Sequence, residues 1–82
     1  MKGQVLPVKW DGVVVGSIIE PKVDNFDLYG KWVPSQSIET ARFLELLGEG
    51  MQLDVQVGNN EPQIKGTIEA VPSIYIEIKM RP

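Results

Sequence analysis

Apolar and polar residues alternate through three consecutive segments between Met51 and Met80, and this pattern constrains the fold more than any other feature of the chain. In the last segment, for example, Ile74, Ile76 and Ile78 are separated by single polar or aromatic residues. A period of two is typical of strands that bury one face and expose the other to water. The pattern therefore predicts a sheet, but no motif in the chain identifies an activity.

Two further strands are predicted near the N-terminus, in residues 5–10 and 13–19, which are rich in β-branched and aromatic side chains. Asp11 and Gly12 lie between them and give the strongest short signal for a two-residue hairpin turn. Residues 20–27 are expected to form a loop, because Pro21 interrupts strand pairing and the segment has no periodicity. Residues 28–33 are then predicted to form a third strand.

One helix is predicted between the two groups of strands. Ser35 or Ser37 can cap its N-terminus, the helix continues through Leu47, and Gly48 follows as the C-terminal glycine. Its apolar stripe follows helical spacing, so we expect the helix to pack on a sheet face. The side chains expected to be buried there are Ile38, Leu44 and Leu47.

The pairing of the last two strands can be predicted from parity and charge. A register that places Lys65 opposite Glu77 keeps the isoleucines of both strands on one face and avoids two facing lysines. Thr67 then lies opposite Tyr75. Residues 70–72 would form the turn.

These elements predict one α+β domain over residues 1–82, with about six mostly antiparallel strands in the order β-β-β-α-β-β-β and one helix packed on the sheet. The alternative is a small barrel that resembles an OB-fold, because three strands, a helix and two further strands is the order of that fold. A sixth strand departs from it.

Composition excludes several kinds of site. The chain has no histidine and no cysteine, which excludes disulfides, thiol nucleophiles and the commonest zinc and haem ligands. Asp24, Asn25 and Asp27 offer oxygen ligands, but a calcium loop needs about six or more. We therefore expect them to cap a turn, and predict no metal site and no cofactor.

Charge and hydropathy limit the partners. The net charge is −3 and the eight basic residues are scattered, whereas nucleic-acid binders concentrate lysine and arginine on one face. The composition therefore argues against a nucleic-acid partner. No apolar run suits a signal peptide or a membrane span, so no membrane contact is predicted and a cytoplasmic location is the default expectation.

Aromatic residues are concentrated in the first part of the chain. Trp10, Phe26, Tyr29 and Trp32 could form a platform that stacks on bases or sugars, or a cluster that anchors a protein partner. The alternative is that these rings supply bulk to a small core.

The second face of the N-terminal hairpin is more apolar than a solvated surface needs to be. Val5, Val14 and Ile18 would lie exposed there if the helix covers only the opposite side, and we predict them as an interface. A homodimer is the simplest partner. The alternative is that the sheet curls and buries them against its own C-terminal strands.

The leading functional expectation is a non-enzymatic protein-interaction or accessory domain. The alternative is a barrel that binds a small ligand, an oligosaccharide or a single-stranded nucleic acid through the aromatic platform. A carboxylate-dependent enzyme ranks last, because Asp24 and Asp27 have no identifiable helper.

Overall fold

A computed structural model describes residues 3–81, which form six antiparallel strands closed into a barrel and one helix. The strands follow the order β1-β2-β3-β6-β5-β4 around the barrel, and β4 pairs with β1. The predicted α+β class and element order are confirmed, and the closed sheet corresponds to the small-barrel alternative. The elements are β1 (Val5–Trp10), β2 (Val13–Asp24), β3 (Asp27–Pro34), α1 (Ile38–Gly48), β4 (Leu53–Val57), β5 (Ile64–Ile68) and β6 (Tyr75–Met80).

The β1–β2 turn has the predicted geometry. Asp11 and Gly12 both have positive φ angles, of 55° and 80°, as a type I′ turn requires. Trp10 pairs with Val13 directly across the turn. The Asp-Gly signal in the sequence therefore fixes both the position and the type of this turn.

A bulge in β2 changes which of its side chains point inward. Val8 pairs with Gly16 but Lys9 pairs with Val14, so Val15 is an extra residue in β2. An extra residue shifts the alternation by one position. As a result Ile18 is fully buried and lies inside the barrel, not on the outer face where the sequence placed it.

The segment expected to be a loop, residues 20–27, is mostly strand. A second bulge lies between Ile19 and Lys22, with Glu20 at a φ of 54°. The bulge accommodates Pro21 without ending β2, which continues to Asp24. The loop prediction was therefore wrong.

The start of α1 was predicted correctly and its end was not. Ser37 is the N-cap, and its side chain accepts a hydrogen bond from the Thr40 N–H. At the other end, the N–H of Met51 donates to the Leu46 carbonyl, and Gly50 has a φ of 87°. This is the Schellman arrangement, so Gly50 takes the role that the sequence analysis gave to Gly48.

The buried side of α1 was only partly predicted. Leu47 is buried as expected, whereas Ile38 is 85% exposed and Leu44 is only partly buried. The residues that α1 buries most completely are Thr40, Phe43 and Leu47. The helix buries Phe43 against the rings of Trp10 and Trp32. The buried side of the helix is therefore rotated about the helix axis relative to the side predicted for packing on a flat sheet face.

The predicted register of β5 and β6 was wrong. Gly66 pairs with Met80 and Thr67 pairs with Lys79. These are the only pairs between the two strands in the described chain, whereas β6 forms five pairs with β3, from Asp27 with Lys79 to Lys31 with Tyr75. The pairing with β3 therefore positions β6, and local charge matching with β5 does not.

The barrel interior is filled by side chains from all six strands and the helix. Its buried apolar residues are Val8, Val15, Ile18, Leu28, Trp32, Phe43, Leu47, Leu53, Val55, Val57, Ile68, Ile76 and Ile78.

Candidate functional site

A cleft opens on the outer surface where β1 and β4 part. Within the described residues the two strands form only two residue pairs, Val8 with Val57 and Lys9 with Gln56, because β1 turns back at Asp11 and Gly12. The resulting space, which we call the β1–β4 cleft, has a volume of about 770 Å³. It is lined by Lys9, Trp10, Asp11, Gly12, Gln52, Leu53, Asp54, Val55, Gln56, Lys65, Gly66 and Arg81.

Three basic residues of this cleft lie in one row across four adjacent segments of chain. Lys9 pairs with Gln56 across the β1–β4 junction, and Gln56 pairs with Lys65 on β5. The row ends at Arg81, whose backbone N–H donates to the Lys65 carbonyl over 2.8 Å. Paired residues on neighbouring strands point to the same side of a sheet, so the three basic side chains and that of Gln56 all point away from the barrel interior.

The basic residues of the row differ in their ion pairing. The Arg81 guanidinium forms an ion pair with Asp54. Lys9 and Lys65 form no ion pair within residues 3–81. Lys9 is only partly exposed, whereas Lys65 is exposed. Two lysines without a carboxylate partner therefore face the same cleft.

A second feature is an apolar area on the outer face of the neighbouring strands. Val5 pairs with Ile19, Ile19 pairs with Lys31, and Lys31 pairs with Tyr75. The remaining members flank this row on β3 and β6. We call this surface the tyrosine face, and it comprises Val5, Ile19, Tyr29, Lys31, Val33, Tyr75 and Glu77.

The four aromatic residues of the predicted platform do not form one cluster. The rings of Trp10 and Trp32 lie 5.7 and 6.3 Å from the ring of Phe43, and Trp32 is only 7% exposed. Phe26 is 63% exposed at the β2–β3 turn, and Tyr29 is exposed on β3. The two tryptophans thus contribute to the core, and the other two rings face outward at separate places.

The predicted interface residues are also divided. Val5 is exposed and belongs to the tyrosine face, while Val14 is exposed beside Lys9. Ile18 lies in the core. Tyr75 was not among the predicted site residues, although an aromatic residue in the outward phase of an alternating strand was a usable signal.

The carboxylates singled out in the sequence lie at the β2–β3 turn. Asp24 pairs with Asp27 across the hairpin. Within residues 3–81, there is no group of three or more acidic, histidine or cysteine side chains that could hold a metal ion. In the same part of the chain, no helix combines the length and apolar character needed to cross a membrane.

Comparison with known proteins adds nothing to this geometry: a scan against protein-family models and searches of curated proteins and solved structures found no match. The two surfaces must therefore be interpreted from their own chemistry.

Proposed function

We propose that this chain is a non-enzymatic protein-interaction domain and that its tyrosine face binds a second copy of the chain. The observation that carries the proposal is that exposed valines on neighbouring strands surround two exposed tyrosines on one outer face. Tyr29 pairs with Glu77 and Tyr75 pairs with Lys31, so Tyr29 and Tyr75 are diagonal neighbours on one face. Contiguous apolar patches mark interaction sites, and tyrosine is enriched among the residues that dominate binding energy.

The charges of the tyrosine face favour a second copy over an unrelated protein. Tyr29, Lys31, Tyr75 and Glu77 lie at the corners of a square on the outer face, and Lys31 and Glu77 are its second pair of diagonal neighbours. In a two-fold interface the same patch is used by both copies, so that residue i meets residue j twice. A two-fold axis between the two copies, parallel to the face and along the Tyr29–Tyr75 diagonal, brings Lys31 of each copy towards Glu77 of the other.

The required area is compatible with a chain of this size. A standard interface buries about 800 Å² on each partner, which is roughly one seventh of the 5445 Å² of accessible surface. One face of the barrel can supply this area. A cytoplasmic location is part of the proposal and is supported by the absence of cysteine from the sequence.

Sedimentation velocity at protein concentrations from about 1 µM to about 1 mM, the range of weak to moderate self-association, tests the proposal. Val33→Glu places a charge on the tyrosine face, and Val14→Glu makes the same change at an exposed position outside it. We expect dimers for the wild type and for Val14→Glu, and monomers for Val33→Glu. Circular dichroism checks that both variants fold.

Two outcomes would overturn the proposal. One is a wild-type protein that stays monomeric throughout the concentration range. The other is equal dissociation of both glutamate variants, which would show that added negative charge, and not its position, controls association.

A further inference from the structure

We infer that the β1–β4 cleft binds a small organic anion that carries at least two phosphate or carboxylate groups. The cleft is separate from the tyrosine face, so the inference does not depend on the proposed self-association. Its volume of about 770 Å³ lies within the range of about 300 to 1,000 Å³ that is usual for small-molecule sites. The lining chemistry then defines which small molecules fit.

The spacing of the basic residues favours more than one anionic group. Adjacent strands lie about 4.8 Å apart, and β4 separates Lys9 on β1 from Lys65 on β5. Their backbones are therefore about 10 Å apart, while Arg81 directly neighbours Lys65. A molecule with two anionic groups can contact both ends of this row with the lysine side chains extended, whereas a single phosphate or carboxylate would require both flexible side chains to converge over Gln56.

Gln56 lies between the two lysines and adds a neutral amide donor to the row. No carboxylate interrupts the order Lys9, Gln56, Lys65, Arg81. A lysine ammonium group has three hydrogen-bond donors. Within residues 3–81, neither Lys9 nor Lys65 forms an ion pair. Both are therefore available to a ligand.

Asp54 positions Arg81 without blocking it. The Arg81–Asp54 ion pair connects β4 to the segment that follows β6, across β5. A guanidinium group has five N–H donors in a planar fork. Arg81 can therefore keep Asp54 as one partner and donate to a ligand oxygen with its remaining N–H groups.

The same surroundings disfavour a long polyanion. Asp11 and Asp54 both line the cleft, so a nucleic-acid strand that continued beyond the basic row would meet carboxylates. The net charge of the chain is also negative. A compact anion satisfies the row without extending over these acidic residues.

Titration of ¹⁵N-labelled protein with pyrophosphate and, separately, with citrate tests the inference and distinguishes phosphate from carboxylate ligands. We expect saturable shifts of the amide signals of β1, β4, β5 and Arg81. Lys9→Gln with Lys65→Gln should weaken binding about tenfold or more, because hydrogen bonds to charged groups are among the stronger ones. The matched control is Lys22→Gln with Arg42→Gln, which removes the same charge at residues that belong neither to the cleft lining nor to the tyrosine face and should leave binding unchanged.

Three results would overturn the inference. The first is the absence of saturable shifts with either anion up to about 10 mM, the weak limit of specific binding. The second is equal weakening in both double variants, which would indicate general charge attraction. The third is tighter binding of a short single-stranded oligonucleotide than of pyrophosphate in the cleft. Thermal melting of both double variants establishes that each is folded.

Discussion

The indole ring of Trp32 packs against the backbone of Gly16 on the neighbouring strand, and no room remains there for a side chain. A Cβ atom added at Gly16 would lie 2.6 Å from Cζ3 of that ring, which is well inside van der Waals contact. Trp32 also lies beside Phe43 of the helix. Gly16 thus allows the ring to fill the end of the barrel beneath α1.

We expect Gly16→Ala to destabilise the protein by about 1 to 3 kcal/mol, because the buried ring must shift to accept the methyl group. Urea unfolding monitored by circular dichroism measures the change. Gly48→Ala is the control, since none of residues 3–81 has an atom close enough to hinder a Cβ at that position and alanine favours the helix. Equal losses for the two variants would contradict the close packing of Trp32 on Gly16.

Phe43 is the helix side chain that the core depends on most. It is fully buried, in contact with both tryptophan rings, so Phe43→Ala should cost about 3 to 5 kcal/mol. A domain of this length has a total stability of about 4 to 12 kcal/mol, so the loss is at least about a quarter of the total and would unfold a domain at the lower end of that range. Ile38→Ala, at the exposed start of the same helix, should change the free energy of unfolding by less than about 0.5 kcal/mol.

Ser37 and Thr40 connect the helix cap to the bulge in β2. The Thr40 hydroxyl donates to the Val15 carbonyl over 3.1 Å and lies 2.8 Å from the Ser37 hydroxyl oxygen. Ser37→Ala should cost about 1 kcal/mol, and Thr40→Val about 0.5 to 1.5 kcal/mol. Because the residues share a hydrogen bond, the double variant should lose less than the sum. Additive losses in chemical denaturation would show that the two residues act independently.

Local signals predicted much of this fold. The Asp11-Gly12 turn and the Ser37 cap depend on a few neighbouring residues, and both were identified from the sequence. The burial of Ile18 was not, because the bulge at Val15 reverses the strand parity and leaves no clear mark in the composition of β2. Pattern reasoning assumes a regular ladder, and β2 contains two irregularities.

The candidate cleft could not be predicted for a related reason. Lys9 and Lys65 are far apart in the sequence, and the pairings of β1 with β4 and of β4 with β5 bring them together. Arg81 joins the row through its hydrogen bond to Lys65. In the sequence these three residues therefore belong to the scattered basic residues. Tyr29 was identified because it belongs to the concentration of aromatic residues in the first part of the chain, whereas a row of cations exists only after the barrel closes.

The register of the β5–β6 pair provides the last prediction. The structure pairs Gly66 with Met80, whereas the charge-based register, with Lys65 opposite Glu77, would place Gly66 opposite Ile76. Thr67 pairs with Lys79, and the backbone N–H of Arg81 donates a hydrogen bond to the Lys65 carbonyl, one residue beyond Met80 and Gly66. Gly66 and Met80 therefore fall at a non-hydrogen-bonded position, where opposite α-carbons lie about 4.5 Å apart.

Nuclear Overhauser spectroscopy of labelled protein should show a strong contact between the Hα protons of Gly66 and Met80. The physical reason is that five pairs with β3 position β6, and β5 must accept the register that closes the barrel. The pairing of Asp27 with Lys79 across β3 and β6 supplies an internal control in the same spectrum. A Gly66–Ile76 contact in place of the Gly66–Met80 contact would refute this closure and restore the charge-based register.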